Sequence, residues 1–205
     1  MPTAPKVTLT RSLGVERNKF RSTFRRETSE VFRDFGGLCR SISNRRQPLM
    51  KNTKQVTGRR AVRFGSLDEM LADAEGLASG PIQTLGNWSP GQIFEHLARA
   101  FTLPLDGVIL PIPFYVRWGA KLMLGRFLRN GLPAGLALTG KSAEALVPHA
   151  TMTEAGLAAL RDAIARWQAK TAVPYHSVFG TVTDEQFTQI HLRHAELHLS
   201  FLTRG

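Results

Sequence analysis

The sequence predicts an all-α fold of antiparallel helices with long connections, preceded by a disordered N-terminal leader. Three observations predict it. Helix-start signatures recur between Ser66 and Gln186, and the apolar residues that follow them repeat with a helical period. No run of alternating apolar residues is long enough for a strand.

Ser66 with Glu69 three later opens a first helix to about Ser79, with Leu67, Met70, Leu71, Ala74 and Leu77 on one side and Gly80-Pro81 as its stop. Ser89-Pro90-Gly91-Gln92 supplies an N-cap, a proline at the first helical position and a glutamine at the third, so a second helix spans about 90–102. It presents Ile93, Leu97, Ala100 and Phe101. A third, about 113–129, is apolar on one side and carries Arg117, Lys121 and Arg129 on the other. Residues 131–152 read as mostly irregular. Thr153 caps a helix of about 154–169, and Thr183 with Gln186 opens a last one to about Leu202. Trp88, Phe94, Trp118 and Trp167 are weighed as pocket walls and read as core packing.

The formal charge is +11 over 205 residues, but it is unevenly spread. Residues 1–49 carry 11 Lys/Arg against 4 Asp/Glu, residues 50–63 carry five basic groups and no acid, and residues 64–205 have 11 basic and 12 acidic groups. Residues 1–62 are therefore read as a disordered basic leader and 63–205 as the bundle domain. Met50, followed by Lys-Asn-Thr-Lys, is read as the natural start, with a basic tail or a targeting extension as alternatives. Cys39 is the one cysteine, so no internal disulfide forms. The most apolar stretch, Phe101 to Leu128, is broken by Pro104, Pro111, Pro113, Arg117, Lys121 and Arg126, a poor membrane span. A cytoplasmic protein is expected, with neither nucleic acid nor membrane as partner.

Three of the six histidines fall within eight residues: His191, His194 and His198. On a helix they share an arc of about 80° with Phe187 and Phe201, the seam that faces a bundle core. An imidazole there must be paired, protonated at a cost, or bound to metal. His194 and His198 are one turn apart, so both can reach one ion. His96, beside Ile93 and Ala100, is the best third ligand; His149 and His176 fall in loops. Glu196 lies about 200° round from His194, which disfavours the H-E-x-x-H protease mechanism. Arg193, Glu196, Ser200 and Thr203 are expected on the surface.

The segment Asn87-Trp-Ser-Pro-Gly-Gln-Ile-Phe-Glu-His96-Leu-Ala resembles the second helix of the DinB-like superfamily, in which a tryptophan-containing cap leads to a ligand histidine. His191-Leu-Arg-His194-Ala-Glu-Leu-His198-Leu-Ser-Phe201 resembles its last helix, where an H-x-x-x-H pair completes a triad. Pro133-Ala-Gly-Leu136 and Val173-Pro-Tyr-His-Ser-Val-Phe-Gly180, with Thr183-Asp-Glu-Gln186 after them, are closer to a bacterial subgroup known only as a domain of unknown function. The likeness covers about 62–203. It implies a DinB-like antiparallel four-helix bundle with His96, His194 and His198 as metal ligands, and His191 beside them as a supporting or pocket-lining residue.

Three neutral imidazoles suit zinc or nickel best, with iron or manganese as alternatives, and leave a position open for water or a thiol. The superfamily implies a thiol-dependent transferase or a metal-dependent hydrolase acting on a small molecule, the thiol being of low molecular weight. A non-catalytic bundle, a binding or stress-related module with structural histidines, is the alternative. Nucleic-acid or anionic-membrane binding through the leader or the Arg117/Lys121/Arg129 face is disfavoured by the near-neutral body. A homodimer formed through a helix face is left open. No general base stands out: Glu95 precedes His96 and points about 100° away from it.

Overall fold

The computed structural model describes residues 50–135 and 140–205. Residues 1–49 lie outside the described residues, and with them Cys39 and most of the expected leader. The described elements are α1 (Leu67–Ala78), β1 (Ile82–Thr84), α2 (Pro90–Leu105), α3 (Phe114–Asn130), α4 (Lys141–Leu146), α5 (Thr153–Gln168), α6 (Asp184–Leu199) and β2 (Leu202–Arg204), after one 3-10 turn at Thr53–Gln55.

The helices start where local chemistry satisfies their first N–H groups. Ser66 accepts from the Glu69 amide, and capping boxes close at Ser89/Gln92 and Thr183/Gln186, each with both reciprocal bonds made. α1, α2, α5 and α6 supply nearly all of the core, including Met70, Phe94, Leu160, Trp167 and Phe187. α2 packs most extensively on α5. Their close approach rests on two glycines: a Cβ on Gly91 would meet the Thr151 carbonyl oxygen at 2.3 Å, and one on Gly156 would meet the Gly91 oxygen at 2.3 Å.

Several expectations are corrected. The last helix ends at Leu199 rather than Leu202, because Leu202–Arg204 turn into a strand. That strand pairs antiparallel with Ile82–Thr84, in the register Ile82 to Arg204 and Thr84 to Leu202. Both strands are three residues long, too short to show an alternating pattern. Residues 131–152, read as mostly irregular, hold one short helix, α4, among the described residues. Thr153 is not a cap; Met152 holds that position without a side-chain bond, where its backbone presses on Gly91.

The polar side of α6 is also corrected. Arg193, Glu196 and Ser200 are buried. Residues 51–64 lie across them: Glu196 accepts the Phe64 amide at 2.8 Å, Arg193 donates to the Phe64 carbonyl at 2.7 Å, and the Arg60 amide donates to the Ser200 carbonyl at 3.0 Å. The Arg60 guanidinium is held by Asp73 of α1 through two bonds of 2.8 and 2.6 Å. Trp118, read as core, is exposed, and α3 buries only Leu124.

Candidate metal centre

His96 sits in the middle of α2, two turns after the Ser89 cap, and His194 and His198 sit one turn apart near the end of α6. The fold brings the three together. His194 Nε2 lies 3.1 Å from His96 Nε2 and 3.0 Å from His198 Nε2. The ligand-capable atoms of the three all fall within 4.8 Å of one another, the one such group of three or more among the described residues. Nitrogens on one tetrahedral zinc stand about 3.3 Å apart, so the separations leave room for the three to share one ion.

Tautomers sharpen the point. The Leu146 carbonyl can only accept, so His96 Nδ1 carries the proton and donates to it at 2.7 Å, leaving a lone pair at Nε2. His194 has at most one proton at Nε2 and cannot direct it at both neighbours. With neutral rings at least one of the two short contacts is therefore left without a hydrogen bond, and making both would require an extra proton. Burial resists that proton: it lowers the pKa of His96 below its ordinary value, and those of His194 and His198 well below. A cation where the three nitrogens converge removes the conflict. The three histidines can hold a metal ion.

The surroundings hold these rings in place. Trp88 stacks on His198 with centroids 5.4 Å apart and lies against His96 at 4.8 Å. Its own carbonyl accepts from the Thr84 hydroxyl at 2.8 Å. Arg99, one turn beyond His96, donates to the carbonyls of Ala145 and Val147 at 3.3 and 3.4 Å, on either side of the Leu146 carbonyl that His96 uses. Arg99 and the 145–147 carbonyls carry no signal in the sequence. A carbonyl has no residue signature, and an arginine three after a histidine has many ordinary explanations.

The other histidines stand apart from the three. His191 stacks on Phe101 at 4.0 Å and on Phe187 at 4.9 Å, with Trp167 edge-on at 5.5 Å, and its buried Nε2 has no hydrogen-bond partner. His176 Nδ1 accepts the amides of Val178 and Phe179 at 3.1 Å, and burial lowers its pKa to about 4. His149 is exposed and pairs with Glu95 at 3.3 Å. Glu95 also accepts from Arg99 and from the Thr151 hydroxyl, and Glu196 is committed to Phe64, Arg193 and Arg63. Both carboxylates serve structural contacts.

Residues 56–205 match a family described as "Protein of unknown function (DUF1569)". No curated protein and no solved structure matches the chain.

Proposed function

The chain belongs to the DUF1569 family of unknown function, so its chemistry has to be read from its own side chains, and we propose that His96, His194 and His198 hold a divalent metal ion at the core of a DinB-like bundle. The observation that carries this is the convergence of three neutral imidazoles on one point, with the His96 tautomer set by Leu146. Imidazole donors favour zinc or nickel, with iron or manganese as alternatives.

A metal so held supplies Lewis acidity, which lowers the pKa of a water or a thiol toward neutrality. The reaction class we favour is transfer of a low-molecular-weight thiol to an electrophile, or hydrolysis of a small molecule. The residues contribute position and environment. Leu146 and Arg99 orient the ring of His96, Trp88 packs against His96 and His198, and burial keeps all three imidazoles unprotonated. The second reading, a non-catalytic bundle with structural histidines, is supported by the commitment of Glu95 and Glu196 to other contacts, which leaves neither free as a base.

Elemental mass spectrometry on the purified full chain and on a His194→Ala/His198→Ala variant tests the proposal. Near-stoichiometric metal in the parent, lost from a variant that keeps its far-UV circular dichroism, is the expected result. A parent that takes up no metal after reloading with zinc, nickel, manganese or ferrous iron overturns it and favours the second reading.

A further inference from the structure

The bundle leaves α3 largely uncovered. Along its 17 residues only Leu124 is buried, and the side resting on the bundle is made by Ala120, Leu124, Phe127 and Leu128. The opposite side carries Phe114 (77% exposed), Trp118 (71%) and Leu122 (69%), spaced four apart, with Tyr115 (65%) and Met123 (53%) beside them. Single exposed apolar residues are ordinary; a contiguous aromatic and aliphatic stripe on one helix marks an interaction surface. Lys121, Arg126 and Arg129 are exposed on the same helix.

Charge identifies the partner. From Gly107 to Gly140 the chain has four Lys/Arg and no Asp or Glu, whereas the rest of residues 64–205 has seven against twelve. The near-neutral average of the body, from which no membrane partner was expected, hides this segregation. We propose that the exposed face of α3 seats in the headgroup region of an anionic lipid bilayer. Trp118 and Tyr115 offer the apolar body and polar tip that favour the bilayer interface, Phe114 and Leu122 reach the acyl boundary, and the three cations meet lipid phosphates. This is contact with a membrane, not passage through it, since no described helix is long and apolar enough to cross one.

Other occupants fit the charge less well. Two copies meeting through this face in a symmetric contact would set Lys121, Arg126 and Arg129 against themselves, with no acid in the segment to answer them. Residues 1–49, at net +7, carry the same sign.

Co-sedimentation of the full chain with vesicles of phosphatidylcholine alone, or of phosphatidylcholine with phosphatidylglycerol, tests the proposal beside a Trp118→Ser/Leu122→Ser variant. We expect binding to the anionic vesicles, weakened at least about tenfold in the variant, with circular dichroism unchanged because neither side chain is in the core. A second measurement needs no variant. Trp118 is the exposed one of the three tryptophans, Trp167 being 1% exposed and Trp88 half-buried. Brominated-chain lipids in the anionic vesicles should therefore quench the wild-type fluorescence. Absence of binding, absence of quenching, or variant binding equal to wild type (the leader acting by charge alone) overturns the proposal. So does a wild-type dimer that the variant turns into a monomer while vesicle binding is absent, which assigns the face to a second copy.

Discussion

Helices α3 and α6 are nearly equal in length, 17 and 16 residues, and the bundle treats them in opposite ways. α6 buries eight residues, and the set includes His191, Arg193 and Glu196. α3 buries one, and leaves Phe114, Trp118 and Leu122 in solvent. If composition decided burial, α3 would be the inner helix. The difference lies in the number of neighbours. α6 touches α1, α2 and α3 and is crossed by residues 51–64, whereas the helical packing of α3 is chiefly against α6. A helix enclosed along most of its length has to place its polar groups against others, and α6 does so with His194 and His198 converging with His96 of α2 on one face and an arginine–glutamate pair on another, while His191 Nε2 has no hydrogen-bond partner.

The sharpest way to break this comparison is to remove a polar partner inside α6. Glu196→Ala strands Arg193, which is 5% exposed and whose Nε already lacks a partner. Arg193 Nη1 is 3.0 Å from the Glu196 carboxylate, close enough for ion pairing though poorly aligned for a hydrogen bond. A loss of about 3–5 kcal/mol in urea unfolding is expected, the cost of an uncompensated buried charge; a loss under about 1 kcal/mol would show the pair to be effectively solvated.

Acid is the second lever. Folded-state pKa values below the ordinary 6.5 mean that, in metal-free protein, the unfolded chain binds more protons than the folded one below that pH. Stability is therefore fully present above about pH 6.5 and falls as pH drops, down to about 4 for His176 and further for His191, His194 and His198. Each histidine contributes up to about 1.4 kcal/mol per pH unit in that window. Thermal midpoints measured from pH 7 to 5 check the sign; a flat profile would show that these imidazoles are not held neutral.

The smallest effect belongs to the exposed side of α3. Leu122→Ala should change stability by less than about 0.5 kcal/mol, while Leu124→Ala, two residues on but turned inward, should cost about 2 kcal/mol. Equal effects would mean that the outer face is covered in solution.

The histidine seam was legible because helical period and one-turn spacing are local properties: His194 and His198 must share a face wherever the helix goes. The caps at Ser66, Ser89 and Thr183 were legible for the same reason, each bond closing within three residues. The fate of Glu196 was not. The reading that it turns away from His194 followed from helical angle, but its burial depends on Phe64, 132 residues away. The β1–β2 pair joins Ile82 to Arg204 through strands too short for any pattern.

By itself, then, the sequence determined the five long helices, the caps at Ser66, Ser89 and Thr183, the shared face of His194 and His198 and the all-α class, because each follows from interactions within a few residues. Only the tertiary structure decided that His96 reaches His194, that Leu146 holds the His96 tautomer, and that α6 is enclosed while α3 is bare. Those outcomes depend on which surfaces meet across long stretches of chain, and burial, charge pairing and solvent exposure belong to the packed whole.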